Sequence, residues 1–274
     1  MKKKEQYLSK TNYVLGTISK RSLWLKFNKP DVVDDNSLVD QMKIDEGFLV
    51  NDHIYQYYLG GILVHDLEVN KAVEKTKELM KDPSVKYIFE AAFCIKQKDK
   101  LDLVVRVDVL EKLSSTIVNI IEAKSSNNAY KSNKQYYLTD VAYQKYVLEK
   151  AGLVVKEASI QHLNPTYIKS GELHVTNMFL TDRIFPSLNC DISIWMEQRG
   201  LDNSTSKKVT KYAKKNLKRV EKFNEIYQSI PNNLNEFQNI VSSKEEPEES
   251  IKTISHTLLS SFKNYFKSLN EKDS

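Results

Sequence analysis

Between residues 87 and 125 the chain runs three times through Val, Ile, Leu, Ala and Phe at strand length. The runs cover 87–96, 101–110 and 116–125, and Lys/Gln/Asp and Ser clusters bound them. β-Branched and aromatic residues between polar turn formers suit a pleated, half-buried backbone, so three consecutive antiparallel strands fit. Asp82-Pro83-Ser84 stops a helical pattern just ahead of them. Behind them the period changes again: Leu138, Val141, Ala142, Tyr146 and Leu148 recur at helical spacing over 137–150, and Gly152 stands just past the end. Residues 154–163 return to a strand pattern. Strand, strand, strand, helix, strand over about 85–163, with helices on both sides, predicts an α/β (α+β) core with a mixed sheet.

The flanks read as helical. Residues 8–25 mix apolar and basic side chains and end at Asn28-Lys29-Pro30, a short helix or two before an acidic turn over 31–36. Two helical patterns follow over 38–80, separated by Gly60-Gly61. After Phe185-Pro186 the chain becomes helical and basic. Lys207, Lys208, Lys211, Lys214, Lys215, Lys218, Arg219 and Lys222 crowd into a few helical turns in which Glu221 is the one acid. Residues 242–250 have the composition of a disordered linker. The expected organisation is a helical N-terminal segment over 1–84, a core over 85–185, a basic helical region over 186–241, a linker over 242–250 and a C-terminal helix over 251–274.

Composition removes several classes of function. Of 274 residues 41% are hydrophobic, with 15 Tyr and 10 Phe, which excludes wholesale disorder. Gly numbers only 7, and neither a Gly-x-x-x-x-Gly-Lys-Ser/Thr loop nor a Gly-x-Gly-x-x-Gly turn occurs, so the usual ATPases and dinucleotide enzymes are not expected. No run approaches the roughly 18 apolar residues that span a bilayer, and residues 6–22 lack the apolar stretch of a secretory signal. A cytoplasmic protein with no membrane partner is expected. Cys94 and Cys190 are too few for a disulfide scaffold or a cysteine-only zinc site, and two buried free thiols suit a reducing compartment.

The residues that carry chemistry are Asp108, Glu122 and Lys124. Along a strand, residues two apart share a face, so Glu122 and Lys124 lie together, and a neighbouring strand would place Asp108 opposite them. Asp108 and Glu122 each sit among apolar neighbours, where a bare carboxylate is costly unless paired or bound to metal. Two hard oxygen donors and a backbone carbonyl suit Mg²⁺ or Mn²⁺. The same three residues would also serve as a structural edge-strand ion pair, worth little. Glu90 could approach such an ion or be a hydrogen-bonded structural carboxylate. Asp140, one helical turn before Gln144, shares its face and equally suits a helix start.

An Asp, about a dozen residues, then Glu-x-Lys on adjacent strands resembles the PD-(D/E)XK nuclease superfamily. The helix segment Asp140-Val-Ala-Tyr-Gln144 and the strand ending His162-Leu-Asn-Pro-Thr-Tyr167 are similar to its RecB-like branch. That branch includes the CRISPR adaptation nucleases and a bacterial family of unknown function that shares the strand Phe89-Glu-Ala-Ala-Phe93. Leu8-Ser-Lys-Thr and Ser19-Lys-Arg-Ser-Leu-Trp24 resemble its opening segment, so the likeness covers about residues 8–185. It implies a restriction-endonuclease-like core and hydrolysis of DNA, at single strands or ends. Asp108, Glu122 and the Ala123 carbonyl would hold Mg²⁺ or Mn²⁺, Lys124 would orient the attacking water, and Gln144 would sit beside the ligands. Relatives commonly place a histidine or glutamate on an upstream helix; here Asn51 stands at the histidine position and His53 is the candidate substitute. Relatives also carry a cysteine where Ser19 stands and three more near the C-terminus, which together ligate an iron–sulfur cluster. Without these thiols no such cluster is expected, and the C-terminal region is either degenerate or held by packing. The lysines of 207–218 form a nucleic-acid footprint or a solvated helix face, and Tyr167 is a candidate substrate contact. The competing reading is a catalytically inactive nuclease-fold protein that binds nucleic acid or a protein partner.

Overall fold

The computed structural model describes residues 7–35, 38–65, 68–126, 135–185, 206–249 and 261–270. It opens with strand β1 (Tyr7–Ser9), helices α1 (Lys10–Ile18) and α2 (Lys20–Asn28), a 3-10 turn, and the long helix α3 (Leu38–Tyr57). Strand β2 (Ile62–Leu63) and helix α4 (Val69–Lys81) lead into β3 (Tyr87–Ile95), β4 (Asp102–Lys112) and β5 (Ile117–Lys124). Helix α5 (Gln135–Lys150) crosses to β6 (Val154–Leu163), and a one-turn helix α6 (Val175–Met178) precedes β7 (Phe179–Phe185). Helices α7 (Ser206–Ser242) and α8 (Lys263–Asn270) follow.

The sheet has seven strands in the order β2-β3-β4-β5-β6-β7, with β1 paired to β4 beside that path. As expected, β3, β4 and β5 are consecutive antiparallel neighbours, while β6 joins β5 in parallel through the α5 crossover. This is an α/β fold with a mixed sheet and helical additions. Three strands add to the four expected: β1 and β2, parallel to β4 and β3, and β7, antiparallel to β6.

One edge of β4 is shared by two partners. Leu103 and Val104 pair with Leu8 and Ser9 of β1, and residues 109–112 pair with β5. The other edge pairs with β3 from Leu103 to Glu111, with a break at Asp108. Between its two partners β4 leaves a gap in the ladder, and Asp108 stands at its rim.

Helix α5 plugs the sheet's inner face. Tyr137 to Gln144 are buried without exception, as befits a helix packed on several sides. Its Tyr143 stacks on Tyr13 of α1 at a centroid distance of 4.5 Å, and its hydroxyl donates to the Leu8 carbonyl. Gly152, at φ +90, ends the helix in the left-handed conformation that a side chain would resist. Helix α4 buries Ala72, Thr76, Leu79 and Met80, and the Thr76 hydroxyl accepts from the Ala92 amide at 2.9 Å, tying the helix to β3. Cys94 is half-buried rather than fully buried and lines a cavity of about 400 Å³ beside α4; Cys190 lies outside the described residues.

The Ser19 hydroxyl accepts from the Ser22 amide at 3.0 Å and caps α2. It also donates to Glu249 at 2.7 Å. The acidic stretch around it is tied down: Glu246 receives Arg21 at 2.6 Å and Lys29 at 3.1 Å. Phe262 and Phe266 then pack against Leu15, Trp24 and Leu25. Packing and ion pairs thus hold this end of the chain to α2, although 250–260 lie outside the described residues.

Candidate active site

Lateral pairing explains why the carboxylates meet. Val109 pairs with Ile121 on β5, so Asp108 and Glu122 come next on one face of adjacent strands, where the ladder ends. Ala123, past the last residue pair of β5 with β4, donates its amide to Asp108 Oδ2 at 2.8 Å. From α5, one turn apart, Asp140 and Gln144 reach the same place. Gln144 Nε2 donates to Glu122 Oε2 at 2.7 Å and to Asp140 Oδ1 at 3.0 Å. Lys124 is bonded to Glu122 and lies 3.0 Å from Asp140 Oδ2. Asp108, Glu122, Lys124 and Gln144 are therefore brought into one cluster, with Asp140 as a further member.

The residue that sequence reasoning passed over is Lys10. It is the first residue of α1, directly after the Ser9 cap, and pairing of β1 with β4 aims it along β4 toward the gap. Its Nζ lies 3.1 Å from Glu122 Oε1, 3.3 Å from Asp108 Oδ1 and 3.8 Å from Asp140 Oδ1. Burial pulls down the pKa of both lysines, but the surrounding carboxylates outweigh it and hold each above the usual lysine range. Both ammonium groups stay charged. Asp140, by contrast, is raised by burial and then by Glu122.

Glu90 lies on β3 between Phe89, paired to Val109, and Ala91, paired to Val107, which places it level with Asp108 across the third strand. Its φ of +55 is a left-handed conformation rare for a side-chain-bearing residue in mid-strand and interrupts the ladder there. The Tyr55 hydroxyl donates to Glu90 Oε1 at 3.3 Å. Burial, and after it the Asp108 charge, push the Glu90 carboxyl up to about 7. The folded protein then holds this proton more tightly than an unfolded chain with a carboxyl near 4.5. The resulting stability is full below pH 4.5 and is lost as pH rises toward 7, by about 3 kcal/mol at most. Denaturant melts of metal-free protein and Glu90→Gln from pH 4.5 to 7.5 should show the unmutated protein losing stability relative to the variant. A constant difference across that range would contradict the burial of this carboxyl.

No described contact joins the other candidates to the cluster. His53 is on α3 with its Nδ1 buried and without a hydrogen-bond partner, and no described contact joins it to the carboxylates. Tyr167 accepts from the His174 amide at 3.2 Å in the loop after β6. The basic stretch lies in α7, where Lys211 and Lys218 are exposed; the side chains of Lys207, Lys208, Lys214 and Lys215 fall outside the described set. Helix α7 packs against the side of α5 that carries Lys145 and Glu149, with Tyr227 bonded to Glu149.

The donor set fits a hard divalent cation in two respects. Carboxylate oxygens of Asp108 and Glu122 already share one cationic nitrogen, and Gln144 Oε1 is a buried acceptor left without a partner at the cluster. Among the described residues no three His, Cys, Asp or Glu side chains form a ready-made metal cage. Two carboxylates are enough for Mg²⁺, which keeps most of its waters.

No helix among the described residues is long and apolar enough to cross a membrane. No family model and no curated protein matches the chain. Among solved structures the chain is similar to that of SSO0001, at 8% identity over 69% of this chain and 72% of that one, with a TM-score of 0.39.

Proposed function

We propose that the protein is a divalent-metal-dependent nuclease of the PD-(D/E)XK type that hydrolyses phosphodiester bonds of DNA, at single strands or ends. The observation that supports this best is the meeting of Asp108, Glu122, Lys124 and Gln144 at a break in the sheet. Asp108 and Glu122, with the Ala123 carbonyl, would hold Mg²⁺ or Mn²⁺. When bound, such an ion lowers the pKa of its water and offsets charge on the scissile phosphate.

The chain's own residues do the positioning. Asp108 is oriented by the Ala123 amide, and Glu122 by the Gln144 amide, so neither carboxylate has to find its geometry when substrate arrives. Lys124 stays charged beside them and would orient the attacking water or meet charge developing on phosphate. Exposed lysines of α7, such as Lys211 and Lys218, would attract phosphates without reading bases, giving sequence-tolerant, salt-sensitive binding.

The test is incubation of end-labelled single-stranded and duplex DNA with purified protein in Mg²⁺, Mn²⁺ or EDTA, beside Asp108→Ala and Lys124→Ala. Metal-dependent cutting is expected, reduced by about a hundredfold or more in either variant. The competing reading, a binding protein on an inactive nuclease fold, is favoured by the position of Lys10 among the carboxylates. It predicts salt-sensitive retention of DNA without cutting in any metal.

A further inference from the structure

We infer that Lys10 is the resident cation of this site, a positioning residue that competes with a divalent ion for Asp108 and Glu122 and so sets the affinity of the metal. The inference rests on the metal-dependent reading above.

Three facts support it. The Lys10 ammonium lies within 3.3 Å of oxygens from both proposed ligands, closer than a mere neighbour and where a shared cation would be held. Glu122 uses both of its oxygens on Lys10, at 3.1 and 3.2 Å, while it also serves Lys124 and Gln144, so a further cation cannot be added without displacing a partner. Lys10 is the partner best able to leave. Unlike Lys124 on β5 and Gln144 on α5, it reaches in from the first turn of α1 on a flexible four-carbon stem, and its side chain is 21% exposed, against 18% for Lys124.

Charge points the same way. With the Glu90 carboxyl protonated, Asp108, Glu122 and Asp140 against Lys10 and Lys124 leave a formal charge of 2 − 3 = −1. Withdrawal of Lys10 leaves 1 − 3 = −2, which a divalent ion neutralises. Lys124 is bonded to Glu122 and Asp140 and has no described bond to Asp108, so it stays when Lys10 leaves.

The experiment is calorimetric titration of Mn²⁺ into DNA-free protein, with thermal melts of the same samples. The set is unmutated protein, Lys10→Gln, Lys10→Met, Lys10→Arg and Asp108→Ala. Lys10→Gln keeps a hydrogen-bond donor without the charge and guards against loss of fold in Lys10→Met. Both neutral variants should bind Mn²⁺ about tenfold tighter or better. They should also melt lower than the unmutated protein without metal and regain the difference when Mn²⁺ saturates. Lys10→Arg should keep the weaker affinity, and Asp108→Ala should lose binding. Equal Mn²⁺ affinity in unmutated protein and both neutral variants, still abolished by Asp108→Ala, would overturn the role of Lys10 and leave the metal site standing. No Mn²⁺ binding by any of the five proteins would overturn both.

Discussion

Glu122→Ala is expected to abolish metal-dependent cleavage, by about a thousandfold or more, and to weaken the fold. Glu122 is 1% exposed and bonds Lys10, Lys124 and Gln144 at once. Its removal takes away a proposed ligand and leaves two half-buried ammonium groups with only Asp108 and Asp140 to share. Breaking a buried charge network from one side costs about 3–5 kcal/mol. Glu122→Gln keeps the shape and loses the charge, so it should cost less in stability while losing as much activity. Denaturant melts and cleavage rates of the two variants separate the effects. A stable, active Glu122→Ala protein would mean that the cluster is neither structural nor catalytic.

Tyr143→Ala should destabilise the protein by about 3–5 kcal/mol, the usual cost of deleting a large buried aromatic ring. Tyr143 is fully buried, is stacked on Tyr13, and sits where α5 meets α1 and the sheet. Tyr143→Phe separates ring from hydroxyl: it keeps the stack and loses the bond to the Leu8 carbonyl, at a cost of about 1 kcal/mol. Leu8 lies two residues before Lys10, so the hydroxyl fixes the strand that aims Lys10 at the carboxylates. Tyr143→Phe should therefore also shift Mn²⁺ affinity in the direction of Lys10→Gln, though by less. Urea melts check the stability order, and unchanged Mn²⁺ affinity would sever the link between α5 and Lys10.

The central strands were legible because their residues are β-branched or aromatic at strand length, and each run ends in polar turn formers. The register that places Asp108 beside Glu122 then follows from simple antiparallel neighbours. β1 and β2 have three and two residues, too few for any period to show. β7 hid for another reason: its buried positions include Asp182, close to His162 at 3.4 Å, and a buried carboxylate breaks the apolar alternation. Within the site, Asp108, Glu122, Lys124 and Gln144 stood out as polar residues set in apolar runs or at a helical step from one another. Lys10 carried no such signal. It follows a basic N-terminus, and its partners are 98 and 112 residues away, so only tertiary contact distinguishes it from a surface lysine. Asp140 was ambiguous because an acid near the start of a helix serves equally well as a cap.

The most direct test of the site is a crystal structure with Mn²⁺, read by anomalous scattering. One anomalous peak is expected, bounded by the Asp108 and Glu122 carboxylates, with the Lys10 ammonium moved away from both. A map without a peak at saturating Mn²⁺, with Lys10 still bonded between Asp108 and Glu122, would contradict it and make the cluster a structural knot of charges.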